Sequence, residues 1–250
     1  MNSEEIRTLD AVAARAMPAD QAVELDGWLL RASALPAGRV NSVWPRDPGD
    51  GPLAKRVDTA EQHYAALGRP TRFQVSPAAL PAGLEGVLGA RGYVAGWPVL
   101  VQTLALDDPA APAGAVALAP APDASWLEVW RAAGKRDAEA VEAAVRLFAR
   151  CSVPSAFATL SLDGPAAAVG RGVLDGGWLG IFAMATATAS RRRGAAACVL
   201  AALLRWGWQH GARGAYLQCA QDNAAARSLY GRSGFTIAYR YHYLRSSYAV

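Results

Sequence analysis

Charge is scarce in this 250-residue chain: Asp, Glu, Lys and Arg make up 18% of it, and half of the residues are hydrophobic. That balance excludes wholesale disorder and provides for a sizeable core, in one large domain or two small ones. Cysteine is nearly absent. Three residues (Cys151, Cys198, Cys219) give an odd count without zinc-ligand or disulfide-framework spacing, so a reducing, cytoplasmic setting is expected. No long hydrophobic run exists. The longest, Gly194 to Leu204, is too short for a bilayer and ends at Arg205, and the polar, acidic start "MNSEEIRTLD" argues against a signal peptide, so no membrane partner is expected. The net charge of +4 fits an anionic ligand, but the basic residues outside one cluster are scattered, which argues against nucleic acid. The Gly-Lys-Ser/Thr ending of a P-loop is missing, and in "GRGVLDG" Asp175 stands where a dinucleotide fingerprint needs its third glycine.

What is present reads as an alternation of helices and strands. Ser3 to Met17 is expected as an amphipathic helix capped by Ser3, with Ile6, Leu9 and Ala13 on one face. Strands follow at "ELDGWLLRAS" and "GRVNSVWP", a helix over Asp58 to Gly68, a strand at "TRFQVS", a short helix at "GLEGVLGARG" and a strand at "PVLVQTLAL". The Pro/Ala-rich "DDPAAPAGAVALAPAPD" has no clean period and reads as a connection. Beyond it come two helices ("SWLEVWRAAG", "DAEAVEAAVRLFAR") and three strands ("SAFATLSLDG", "AAAVGRGVL", "WLGIFAMATAT"). A helix to His210, the strand "AYLQCA", the short helix "DNAAARSLYGRSG" and a last strand or hairpin "FTIAYRYHYL" complete the order. The two halves share a short repeat, in which Gly92–Tyr93 corresponds to Gly234–Phe235. The expected organisation is residues 1–107, a connection over 108–123, and residues 124–250.

One stretch stands out. "SRRRGAAACVL" crowds Arg191, Arg192 and Arg193 at the start of a helix. That end already carries a partial positive charge, so each exposed cation there costs roughly 0.3–1 kcal/mol. Either the arginines are a solvated cap, or an anion sits on the helix start. Gly194, Ala195 and Ala196 would let a phosphate approach backbone N–H groups that have no internal partner.

Here the second half resembles the GNAT superfamily of acyl-CoA-dependent N-acyltransferases. The family signature Arg/Gln-x-x-Gly-x-Gly/Ala is matched by Arg191, Gly194 and Ala196, after a long strand and before a helix. The pattern Asn-x-x-Ala-x-x-Leu-Tyr-x-x-x-Gly-Phe is matched by Asn223, Ala226, Leu229, Tyr230, Gly234 and Phe235. The resemblance covers roughly residues 124–250 and implies a mixed α/β fold, a central sheet flanked by helices. The first half resembles a degenerate copy, as in two-module members. It lacks the glycine turn and has Leu88 opposite Tyr230, so no active site is expected there.

The resemblance further implies acetyl-CoA as co-substrate, without a metal. Its diphosphate would lie on Arg191 to Ala197, and its pantetheine arm along Met184, Ala185 and Thr186. A backbone N–H near Met184 or Ala185 would hold the thioester oxygen. Tyr230 matches the position of the proton donor to the departing thiolate, and Asn223 would cap its helix and could touch the coenzyme. The strand "WLGIFAMATATAS" lacks the Glu that many relatives carry, which leaves His242, Asp175 or a water relay as the base. Cys198 and Cys219 lie in apolar contexts, which favours direct transfer over an acyl-enzyme. Asn41, Ser42 and Trp44 are candidates for an acceptor pocket, with core packing as the alternative. The expected activity is N-acetylation of a small-molecule or protein amine; a non-catalytic acyl-CoA-binding module is the competing reading.

Overall fold

The computed structural model describes residues 1–96 and 98–247. In chain order the elements are α1 (Ser3–Ala16), β1 (Gln21–Leu25), β2 (Trp28–Ala32), β3 (Val43–Pro45), α2 (Leu53–Ala66), β4 (Arg72–Val75), α3 (Leu84–Ala90), β5 (Val94–Ala95) and β6 (Val99–Ala105). Then follow β7 (Val116–Ala119), α4 (Ala124–Ala133), α5 (Ala138–Arg150), β8 (Ser155–Ser161), β9 (Ala166–Asp175) and β10 (Trp178–Thr186). The last are α6 (Ala195–Gln209), β11 (Gly214–Ala220), α7 (Ala224–Arg232) and β12 (Thr236–Arg245). They make a mixed α/β architecture. The described contacts divide it into unit 1, with Met1–Leu100, Ala220–Asp222 and the chain from Tyr239 onward, and unit 2, with Val101–Cys219 and Asn223–Ala238.

In unit 1, β1, β2 and β3 form an antiparallel meander, and β3 joins β4 in parallel through Val43↔Phe73. The C-terminal strand β12 then adds to β4 antiparallel, with His242 opposite Val75. Its core is aromatic: Trp28 meets Phe73 edge-on at 5.4 Å, and Tyr64 and Leu88 are buried. The core also holds polar groups. The buried Arg31 donates to Ser42 Oγ and Gln74 Oε1, both at 2.9 Å, and Tyr239 donates to the buried Asp10 carboxylate at 2.5 Å.

In unit 2, β7, β8, β9 and β10 are antiparallel in sequence, β11 joins β10 in parallel, and β6 lies beside β11. Strand β9 is buried on both faces because helices cover both. From α4, Trp126 donates its indole N–H to Gly170 C=O at 3.1 Å. From α6, Val199 reaches so close that a Cβ on Gly170 would lie 2.9 Å from Val199 Cγ1 and 2.5 Å from Met184 Sδ. The backbone of β9 must therefore be bare at that point.

Four local features differ from the sequence reading. Helix α1 is capped by Asn2, which exchanges hydrogen bonds with Glu5 in a capping box. Helix α2 starts at Leu53, five residues before the expected Asp58, with Pro52 at its N-cap. "GRVNSVWP" divides into a 3₁₀ turn at Gly38–Val40 and the short β3. Within the stretch read as a connection, Val116–Ala119 forms β7 on the edge of β8.

Candidate active site

The site is built where β10 leaves its neighbours. Pairing with β11 runs from Trp178↔Gly214 to Ile181↔Leu217 and goes no further, although β10 continues to Thr186. On the other edge, the register with β9 shifts between Phe182 and Ala185, and Ala183 takes a positive φ of 52°. This bulge inserts one residue and turns the strand's peptide groups. The result is a splay between β10 and β11, with backbone groups of Met184 to Thr186 freed from the parallel ladder.

The chain then turns into α6. Arg192 (φ 61°) and Gly194 (φ 79°) both adopt left-handed backbone, and around Gly194 a Cβ would meet no atom within 4 Å. The first helical bond is donated by Cys198 N–H to Gly194 C=O at 3.1 Å, so the N–H groups of Ala195, Ala196 and Ala197 have no intrahelical acceptor.

The opposite wall is α7. Asn223 caps it by accepting the Ala226 N–H at 3.1 Å. Tyr230 is 8% exposed and meets Phe235 edge-on at 6.0 Å. Burial, with a smaller contribution from neighbouring Cys219, pushes its phenol up to about 12. Its helix ends at Gly234 (φ 88°), where the Phe235 N–H donates to Tyr230 C=O at 3.0 Å. In unit 1 the corresponding helix α3 ends at Gly92 (φ 76°), with the Tyr93 N–H donating to Leu88 C=O at 3.1 Å.

These elements enclose a cleft of about 570 Å³. Of the residues expected to bind the coenzyme, Met184, Ala185, Thr186, Arg191, Arg192, Gly194, Ala195, Ala196, Asn223 and Tyr230 all line it. Arg193 does not. Its guanidinium is 3.4 Å from the Asp163 carboxylate, in the turn between β8 and β9. His242 does not line the cleft either: it lies on β12 in unit 1, 2.9 Å from Glu85 of α3. Asp175 is the last residue of β9, paired with Trp178 at the start of β10, roughly 20 Å of strand from the splay. Asn41 and Ser42 are committed within unit 1, Asn41 to Leu35 C=O, the Ser33 N–H and Arg69, and Ser42 to Arg31. Trp44 lines a separate pocket in unit 1.

Sequence reasoning missed Ser190, Ser228 and Arg232, which also line the cleft. Arg232 donates to Ser228 Oγ at 2.7 Å. Their four-residue spacing, in step with Ala225, marks one helical face and was the available signal. Three arginines thus line the cleft (Arg191, Arg192, Arg232), and no Asp or Glu is among its described lining. The arrangement suits an anion at the α6 start and an extended, hydrogen-bonding chain along β10. Among the described residues no three His, Cys, Asp or Glu side chains gather as a metal site, and no helix is long and apolar enough to cross a membrane.

Comparison with known proteins points the same way. A family model described as "Probable histone acetyltransferase Rv0428c C-terminal" matches residues 3–244. The chain is 26% identical over 245 residues to the uncharacterized N-acetyltransferase YobR of Bacillus subtilis (strain 168), covering 96% of this chain and 98% of the relative. A GCN5-related N-acetyltransferase from Kribbella flavida shares its fold with a TM-score of 0.70 at 18% identity, over 97% of this chain and 95% of that one. A tandem GNAT protein from the clavulanic acid biosynthesis pathway aligns with a TM-score of 0.56 at 17% identity, over 79% of this chain and 69% of that one.

Proposed function

Because the chain belongs to the family of the probable histone acetyltransferase Rv0428c C-terminal region and has the GNAT fold, we propose that it moves an acetyl group from acetyl-CoA to a primary amine by direct attack in a ternary complex. One observation carries this reading: the start of α6, the freed edge of β10 and Tyr230 all line a single cleft. Bound acetyl-CoA supplies a thioester, an activated acyl carbon with a thiolate as leaving group.

The protein's own groups then have separate tasks. The N–H groups of Ala195 to Ala197 and the Arg191 and Arg192 guanidiniums hold the diphosphate, where the helix start and the added cations act together. Backbone groups of Met184 to Thr186 pair with the amide-rich pantetheine arm. A backbone N–H at Met184 or Ala185 donates to the thioester oxygen, where charge develops. Tyr230 keeps its proton well above neutral pH and donates a hydrogen bond to the departing sulfur; the dry setting that raises the phenol's pKa also raises that of the thiol, which keeps the pair matched. In this scheme residues 1–107 form a degenerate module and 124–250 the catalytic one, and the unbridged cysteines suit the cytoplasm.

The test is calorimetry with acetyl-CoA, followed by thiol release with an amine panel. Saturable binding that weakens at least about tenfold in Gly194→Val, with acceptor-dependent thiol release, is the expected result. No heat of binding in the unaltered protein overturns the assignment. Binding without thiol release for any amine reduces it to a coenzyme-binding module.

A further inference from the structure

Unit 1 contains a cavity that the proposed reaction does not use. It measures about 370 Å³, within the range of small-molecule sites, about 300–1,000 Å³. One wall is a face of α1, with Glu4, Arg7, Asp10 and Ala11 at helical spacing. The others are the end of β3, with Trp44 and the Asp47 that follows it, and Ser76 just past β4. In the two-module scheme β3 and β4 take the places of β10 and β11. Among the described registers they pair in parallel only at Val43↔Phe73. Past that point the chain after β4 turns back: the Leu80 N–H donates to Pro45 C=O at 3.4 Å, and Leu80 C=O accepts the Trp28 indole N–H at 3.0 Å. The chain thus bridges this gap itself, and the cavity beside α1 remains.

Asp10 sets the chemistry of that cavity. It is 4% exposed, yet it lines the space. A buried carboxylate is costly unless donors surround it. Tyr239 and Ser76 each donate to it, and burial still outweighs them, holding its pKa above the ordinary carboxylate value. An ionised carboxylate accepts about four hydrogen bonds, so capacity is left for a donor entering from the cavity. Arg7, three residues away on the same helix face, has no ion pair or side-chain hydrogen bond among the described residues. The other arginine of the lining, Arg46, is committed: it pairs with Glu24 and lies 5.4 Å from the centre of the Trp44 ring. One uncommitted cation therefore stands with three acids, Glu4, Asp10 and Asp47. A simple anion meets an excess of negative charge there, and a simple cation leaves Arg7 without a partner.

We propose that unit 1 binds a small zwitterion with the span of an α-amino acid, whose ammonium donates to Asp10 and whose carboxylate takes the Arg7 guanidinium. The site is built from residues of unit 1 alone and stands independently of the acetyltransferase reading.

The experiment titrates the proteinogenic L-amino acids, one at a time, calorimetrically into the full chain without acetyl-CoA. The tightest of them is then compared with its amide, which lacks the carboxylate, and with its N-acetyl form, which lacks the ammonium. Saturable binding of at least one amino acid is expected, with each blocked form weaker by at least about tenfold, the loss of one charge-assisted contact. Asp10→Asn, which still accepts from Tyr239, and Arg7→Met are each expected to weaken binding by at least about tenfold, with Tm within a few degrees of the parent. Arg7 is only partly buried, so its variant tests the site even where Asp10→Asn lowers the Tm. No heat with any amino acid at millimolar concentration overturns the proposal. So does binding that a blocked form matches, or binding that survives Arg7→Met or a folded Asp10→Asn, which places the ligand elsewhere. Titration with acetyl-CoA separates the two conclusions: amino-acid binding without coenzyme binding leaves this site standing, and coenzyme binding without amino-acid binding removes this site alone.

Discussion

Tyr230 shows how a single side chain can be recognised from sequence while its chemistry depends on surroundings that only the fold supplies. The motif predicts a tyrosine on a helix; burial against Phe235 and beside Cys219 makes it a phenol that stays protonated to about pH 12. Tyr230→Phe is expected to lower kcat by about 10–100-fold, within the range of a lost acid–base group, with acetyl-CoA affinity changed by less than twofold in calorimetry. Arg171 poses the opposite case. Nothing in "GRGVLDG" marks it as a core residue, yet it is fully buried, 4.8 Å from the Phe148 ring, with Nη2 3.1 Å from Ser155 Oγ. Burial lowers the pKa of its guanidinium. Arg171→Met keeps the volume and removes the buried charge, so its Tm is expected within a few degrees of the parent. Arg171→Ala leaves a void between the rings and is expected to cost about 2–5 kcal/mol in denaturant unfolding.

The legibility of the elements follows the same division. Helices α4, α5 and α6 were readable because their apolar residues repeat at helical spacing and caps mark their ends, with Asp123 and Asp137 accepting from the N–H three residues on. Strand β7 was hidden by composition: proline and alanine dilute the pattern, and its existence depends on the edge of β8, a tertiary partner. The arginine–glycine turn was legible as a motif, but the bulge at Ala183 that aims the strand's peptide groups has no local signature, since "FAMAT" contains no glycine. His242 was proposed from nearness in sequence, and strand pairing carries it to β4. Two glycines test the element-level account. At Gly170 an added Cβ would press on Val199 Cγ1 and Met184 Sδ, so Gly170→Ala is expected to destabilise by about 1–3 kcal/mol. Combining it with Met184→Ala should recover only part, because Val199 remains. At Gly194 space is open and only the φ of 79° resists, so Gly194→Ala is expected to cost about 1–2 kcal/mol, read as a small drop in Tm.

For the molecule as a whole, the buried phenols set an upper limit on pH. Tyr64 and Tyr230 are both raised to about 12, and Tyr241 is raised as well, in each case chiefly by burial. A phenol harder to ionise in the folded state ionises first in the unfolded chain. The stability it contributes is complete below about pH 10 and is lost as pH climbs through 12. Tm is therefore expected to hold to about pH 9.5 and then fall steeply. The effect is expected to be smaller in Tyr64→Phe.

The C-terminal strand has a consequence for synthesis. Unit 1 draws on Met1–Leu100 and on the chain from Tyr239 onward, and its strand β4 is paired with residues as late as Arg245. A nascent polypeptide emerging from the ribosome therefore leaves one side of β4 unpaired until Arg245 has been translated. A stop codon after Ala238 strands Asp10 without Tyr239 and exposes an edge of β4, and amide exchange over Arg72–Val75 is then expected to accelerate by at least about a hundredfold. Unit 1 is complete only once β12 has been made, and until then the unpaired edge of β4 is a natural client for a chaperone.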